Sequence, residues 1–282
     1  GKTAGRGGEE SEPKSETERD GSEVDKPQWV YDQRDSVHGV GNVYRGQMSF
    51  EELYRRYCET LLSLDESVGS ILETLRQRGM DTDTLTLYMG DNGFLMGEHG
   101  LIDKRAAYEE SIRVPMLARA PGLIEPGTVI EELVTNVDIA PTLLDAAGTP
   151  TPEETSGRSF LPLLDGEEVS WRDGVLYEYF HEEQFPQQPT MLAFRTHRYK
   201  LVRYRWPWIR DEFYDLKTDP GERVNRIGSP DLRPQIRGMN GRLFDRLRAV
   251  NGMDLTPWQP PERWEPGRNE NADTREPDSD RN

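Results

Sequence analysis

From residue 49 to residue 79 the apolar side chains fall in steps of three and four, through Phe50, Leu53, Tyr57, Leu61, Leu64, Val68, Ile71 and Leu75. A period of 3.6 held over that length admits one long amphipathic helix and little else. Ser49 followed by Glu52 reads as a capping box, and Gly79 suits the residue just past the helix end. Cys58 falls on the apolar face and is expected to be a small core residue. It is the only cysteine in the chain, so an internal disulfide is excluded.

Downstream, residues 84–89 form a β-prone run that breaks at Gly90-Asp91-Asn92-Gly93, and residues 114–118 form a second one. One or two helical turns are expected between them, around Ala106 to Ile112. Strand, loop, helix, strand suggests a βαβ unit in a parallel sheet. Residues 138–147 read as a further helix, capped by Asp138 and stopped by Gly148. After about residue 170 the texture changes to four short β-prone runs, at 175–180, 191–195, 199–205 and 212–216. An antiparallel sheet is expected there, closed by a helix over 230–250.

The ends differ from this middle. Residues 1–27 hold eight acids and five bases with almost nothing apolar, and residues 257–282 hold five prolines, seven acids and four arginines. Both read as disordered acidic tails that cannot bury enough surface to offset ordering entropy. Each nets −3 of the chain's −17, so the segment between them is itself acidic. That balance argues against nucleic acid or an anionic membrane surface as partner. No apolar run approaches the roughly 20 residues of a membrane span. No secretory signal opens the chain.

One stretch concentrates chemistry. Asp91 and Asn92 stand at the carboxyl end of a strand, where open α/β sheets bind ligands. A carboxylate and an amide oxygen side by side are hard donors suited to calcium or magnesium. Gly93, Gly97 and Gly100 permit unusual turns nearby. Lys104 can reach the same place as a point charge for an anion. Taken alone, Asp-Asn-Gly is also an ordinary turn, His99 an ordinary polar side chain, and Lys104 part of a solvated cluster with Asp103 and Arg105. The residues by themselves reach no further than an α/β anion-binding enzyme.

The longer words narrow this. DNGFLMGEHGLIDKRAAYEESIRVP over 91–115 resembles the type I sulfatases of the alkaline-phosphatase-like superfamily. NVDIAPTLLDAAG over 136–148, GRSFLPLL over 157–164 and EFYDLKTDPGE over 212–222 are similar to that family's later segments, in order. The resemblance implies an α/β fold, a partial alkaline-phosphatase-like sandwich over 28–170, with a smaller C-terminal antiparallel sheet and closing helix over 171–256. It implies hydrolysis of a sulfate ester, on a sulfated carbohydrate among other candidates. Asp91 and Asn92 match two calcium ligands, with magnesium the lesser alternative. Lys104 matches a lysine that contacts the sulfate. QRDSVHGV over 33–40 resembles the segment carrying a histidine beside the leaving-group oxygen, which makes His38 the candidate general acid. His99 is expected on the pocket rim, touching substrate. His181 and His197 fall outside every matched motif and read as ordinary surface or sheet residues. Family members are often periplasmic or secreted.

The chain also departs from the family. The family's nucleophile is a formylglycine made from the cysteine of a Cys-x-Pro-Ser-Arg motif. Cys58 is followed by Glu59-Thr60-Leu61 and does not match. The first two acidic calcium ligands and a Lys-x-His segment are missing as well. The chain is therefore expected to be the downstream part of a longer sulfatase, inactive alone. The alternatives are a catalytically inactive sulfatase-like binding protein, or a phosphodiester or phosphonate monoester hydrolase of the same superfamily.

Overall fold

The computed structural model of the chain describes residues 25–36, 38–41 and 49–250. Most of both predicted tails lies outside the described residues. Lys26 and Pro27, at the inner end of the first, are buried.

The C-terminal part is built as the alternating patterns predict. Strands Val175–Tyr179, Met191–Arg195, Tyr199–Tyr204 and Glu212–Asp215 pair in sequence order as one antiparallel sheet. Successive side chains point to opposite faces. Leu192, Phe194, Leu201 and Phe213 therefore face one way, and there they meet Met239, Leu243 and Leu247. Those three recur every fourth residue on the closing helix Arg233–Ala249, one stripe facing the sheet. Met191, Ala193, Val202, Tyr204 and Tyr214 face the other way and pack against Ala106, Ala107, Tyr108, Leu95 and Leu101. The sheet is thus covered on both faces, and its inner face carries the segment that holds the candidate site.

Four charged side chains, Lys26, Lys200, Glu212 and Glu222, are sealed into that seam. Lys200 Nζ lies 2.8 Å from Glu109 Oε1 and 2.8 Å from Glu222 Oε1, and it donates to the Ala107 carbonyl at 2.8 Å. Lys26 donates to the Tyr214 hydroxyl at 2.9 Å. Glu212 accepts from the hydroxyls of Tyr108, Tyr204 and Tyr214. Buried charges persist only when paired and hydrogen-bonded, and these bonds tie residues 106–110 to the sheet.

The α/β part departs from expectation in one respect. Thr86–Met89 and Met116–Arg119 are strands, but they pair antiparallel, Met89 opposite Met116, not parallel as in a βαβ unit. Gly90 donates to the Pro115 carbonyl at 3.3 Å, so the second strand starts where the first ends. The intervening helix is only the four residues Glu109–Ile112. A parallel return needs a crossover of a dozen or more residues that brings the chain back to the starting end. Here the connection spends its length on an excursion to the C-terminal sheet. Around the strand pair, Phe160, Leu163 and Leu164 form a third apolar cluster with Leu87, Met116 and Ile139.

The helix of residues 138–147 is present as Ile139–Ala146, after a short 3₁₀ turn, and Gly148 adopts φ +65° at its end. Asp138 does not cap it as predicted. Its carboxylate closes a capping box with Thr135 one turn earlier and accepts both terminal nitrogens of Arg172.

The long helix is Phe50–Gln77, with Ser49 Oγ accepting from the Glu52 amide at 3.1 Å. Glu52 turns its carboxylate to Arg56. None of this helix's residues is buried, and Tyr54 and Ile71 are 52 % and 59 % exposed. Cys58 is half-buried on that open face, not a core residue. Periodicity selects a helix with an apolar side, but burial needs a partner surface, and past Phe50 at its start the described residues bury none of this face. No helix among the described residues is long and apolar enough to cross a membrane.

Candidate active site

The site is a loop and hairpin hung between the first strand and the C-terminal sheet. Past Met89 the chain exposes Asp91 and Asn92 at its tip. Gly93 then presses against the turn of Glu109–Ile112. Its amide donates to the Ser111 carbonyl at 2.9 Å, and a Cβ there would lie 2.1 Å from the Glu110 carbonyl oxygen. Only glycine permits that approach. Two short strands follow, Leu95–Met96 and Ile102–Asp103, paired as a hairpin. In its turn Gly97 takes φ +115°, with the Phe50 ring close by, so the start of the long helix rests on the hairpin.

The hairpin returns Lys104 to the tip. Lys104 Nζ donates to Asn92 Oδ1 at 3.3 Å, and Asp91 Oδ1 accepts from the Asn92 amide at 2.8 Å. Three of the predicted residues therefore converge: a carboxylate, an amide oxygen and an ammonium, all exposed.

His38 reaches the hairpin from the other side. Its carbonyl accepts from the Ile102 amide at 2.8 Å, and Gly39 bridges to Leu101. Its Nδ1 lies 3.4 Å from Asp103 Oδ2. The other oxygen of Asp103 accepts from the Lys104 amide at 2.6 Å and from Arg105 at 2.7 Å. Asp103 thus joins the backbone of Lys104 to the ring of His38. With Nδ1 turned to a carboxylate, Nε2 is the nitrogen that can address a substrate. The guanidinium of Arg105 lies 3.6 Å from the Phe185 ring centroid and 3.7 Å from Glu182, and Phe185 also meets the His38 ring edge-on.

The sequence reading did not single out Asp103, Arg105, Glu182 and Phe185 as site residues. Asp103 stood in the matched motif beside Lys104, so its position could have drawn notice. Glu182 and Phe185 lie in a connection with no motif, and only the packing of the sheet brings them here.

His99 is placed elsewhere than on a rim. It is 5 % exposed, in the left-handed region at φ +56°, with its ring stacked on Tyr108 and its Nε2 3.5 Å from Glu110 Oε2. Burial, the largest influence on the Glu110 carboxyl, pushes its pKa up, but the His99 bond and charge outweigh it and the net shift is downward. His99, Glu110 and Glu222 offer ligand atoms within 4.8 Å of one another, a spacing a metal could use. Lys200 already supplies the positive charge at Glu222, so a divalent ion there would face an ammonium 2.8 Å from its ligand. His181 turns Nδ1 to the Gln188 carbonyl at 2.9 Å, and His197 is exposed between two strands.

For calcium the fit is partial. The ion takes about 6–8 oxygens, and Asp91 and Asn92 are two hard donors at an accessible strand end. Formylglycine does not fit: Cys58 sits mid-helix between Tyr57 and Glu59 and is not part of this loop.

Fold and site together describe part of an alkaline-phosphatase-like fold that carries a carboxylate, an amide oxygen and an ammonium on one exposed tip. Two family models match. One is described as sulfatase, over residues 8–149, and the other as N-sulphoglucosamine sulphohydrolase, C-terminal, over residues 97–249. Each covers half of the chain or more, and the chain belongs to the sulfatase family. An N-acetylglucosamine-6-O-sulfatase of Bacteroides thetaiotaomicron is 34 % identical over 220 residues, 74 % of this chain and 39 % of that protein. A solved structure described as BT4656 in complex with its substrate D-glucosamine-2-N,6-O-disulfate matches with TM-score 0.70 and 31 % identity, over 73 % of this chain and 42 % of that one. The phosphonate monoester hydrolase SpPMH of Silicibacter pomeroyi matches with TM-score 0.61 and 25 % identity, over 68 % and 40 %. The chain spans about two fifths of the length of these relatives.

Proposed function

We infer that this chain is the part of a sulfatase that grips the sulfate ester of a sulfated carbohydrate and protonates the departing sugar oxygen. The observation that carries the reading is the convergence of Asp91, Asn92 and Lys104 on one exposed tip, with His38 held to the same hairpin by Asp103. Lys104 presents a positive charge to the anionic sulfate, while further negative charge grows on the departing oxygen as the ester bond breaks. His38, fixed through Nδ1, donates a proton from Nε2 to the leaving oxygen and so avoids a free alkoxide. Asp91 and Asn92 would contribute oxygens to a calcium ion, which when bound neutralises sulfate charge. The Cys-x-Pro-Ser-Arg motif that would supply the nucleophile is absent from the sequence, so this chain alone is expected to be inactive. Export to the periplasm or beyond the cell is the compartment we propose.

The test is sulfate release from D-glucosamine 6-sulfate by the complete gene product. Lys104→Ala and His38→Ala should each lower kcat/KM by about 10²–10⁴. Turnover unchanged in His38→Ala would remove its role. Hydrolysis of a phosphonate monoester faster than of any sulfate ester would favour the runner-up chemistry, which the likeness to the phosphonate hydrolase keeps in view.

A further inference from the structure

The chain carries −17, yet in one place arginines gather without acids to match them. A cleft of about 200 Å³ is lined by Ser156, Arg158, Arg172 and Arg246, with no acidic residue in its wall. It adjoins a second cleft of about 400 Å³ that shares Arg172 and Arg246 and adds Arg242 together with Asp173 and Asp245. Both lie where residues 156–174 meet the closing helix, away from the Asp91–Lys104 loop in the chain and in a different part of the core.

The acids nearby are already engaged. Asp138, whose side chain is fully buried, accepts Arg172 through both oxygens and also the Arg158 amide. Asp173 Oδ2 lies 2.6 Å from Arg242, and Asp245 lies 2.8 Å from Arg248. The guanidinium carbon of Arg158 lies over the Trp171 ring, 3.7 Å from its centroid, and Arg158 has no ion pair among the described residues. Arg246 makes no side-chain hydrogen bond or ion pair among the described residues. Two positive charges are thus left over beside a third whose fork is fixed. Burial and then the like charge of Arg172, with a smaller push from Arg246, make the Arg158 guanidinium easier to deprotonate than usual, and the opposing charge of Asp138 offsets this only in part.

A guanidinium fork matches the oxygens of a tetrahedral oxyanion. Arg172 is pre-oriented by Asp138, and Arg158 by Trp171, so binding has little side-chain freedom left to freeze at those two. We propose that Arg158, Arg172 and Arg246 form a second anion site that takes a sulfate group of a polysulfated carbohydrate chain. The oxyanion site stands on the arginines alone; its carbohydrate carrier rests on the sulfatase reading.

Calorimetry on the full chain tests it, with a heparin-derived tetrasaccharide, inorganic sulfate and an unsulfated tetrasaccharide as probes. The variants are Arg158→Gln/Arg246→Ala, which leaves the Asp138–Arg172 pair intact, and Lys104→Ala; far-UV circular dichroism confirms their fold. The sulfated tetrasaccharide should bind at least tenfold more tightly than inorganic sulfate, and the double arginine variant should weaken it tenfold or more. Lys104→Ala should retain that part of the binding. Wild-type affinity in a folded Arg158→Gln/Arg246→Ala chain overturns the site. Equal affinity for inorganic sulfate and the tetrasaccharide overturns the carbohydrate carrier. Failure of sulfate-ester turnover by the complete gene product, with tetrasaccharide binding by this chain still lost in the double variant, overturns the catalytic reading and supports the anion site.

Discussion

Replacing Asp138 by asparagine probes the joint on which the α/β part is assembled. The side chain of Asp138 is fully buried, and it accepts from Arg172, from the Arg158 amide at 3.0 Å and from the Thr135 amide at 2.8 Å. Those bonds link the start of one helix, the segment before the next and the approach to the C-terminal sheet. Burial, the largest influence, pushes its carboxyl pKa up. The bonds from Arg172, Arg158 and Thr135 outweigh it, and the net pKa lies below the usual carboxylate range. The stabilisation is therefore present above the ordinary aspartate pKa and is lost as pH falls through the lower folded value. Asparagine keeps the size but leaves Arg172, itself mostly buried, facing an amide. Breaking a buried pair from one side costs about 3–5 kcal/mol; because Arg172 keeps some solvent and its bond to the Leu133 carbonyl, the low end, about 3 kcal/mol, applies. For a chain of this size that lowers Tm by roughly 6–12 °C. Thermal unfolding followed by circular dichroism at pH 7 measures it, and a pH series should show a shallower acid loss in Asp138→Asn than in wild type. A Tm within about 2 °C of wild type at pH 7 would refute the reasoning.

Two other substitutions test how the site and the long helix are built. Gly93→Ala forces a Cβ against the Glu110 carbonyl oxygen, so it should cost about 1–3 kcal/mol by chemical denaturation and release the loop that carries Asp91 and Asn92. Ile71→Ser should change stability by no more than about 0.5 kcal/mol, as for a surface position; a loss of about 2 kcal/mol or more in the same denaturation assay would show that the helix face is covered in solution.

Much of the molecule was legible in local pattern. The four C-terminal strands and the closing helix emerge at the predicted places because alternation and three-four spacing are properties of neighbouring residues. Ser49 and Gly148 act where single-residue chemistry said they would. The partial α/β sandwich was legible through long motifs rather than through periodicity. His99 shows the limit: the matched motif puts it on the pocket rim, yet a left-handed backbone and the Tyr108 ring turn it inward.

The sequence by itself determined which segments become helix or strand, and that Asp91, Asn92 and Lys104 fall within one short stretch. Only the tertiary structure decided that the Thr86–Met89 and Met116–Arg119 strands run antiparallel, that the long helix keeps its apolar face open, and that Asp103 stands between Lys104 and His38. It also decided that Arg158, Arg172 and Arg246 share a cleft. The division has a physical cause. Backbone conformation answers to the nearest few residues, whereas burial and charge pairing depend on partners far along the chain, brought together when sheet, hairpin and closing helix pack.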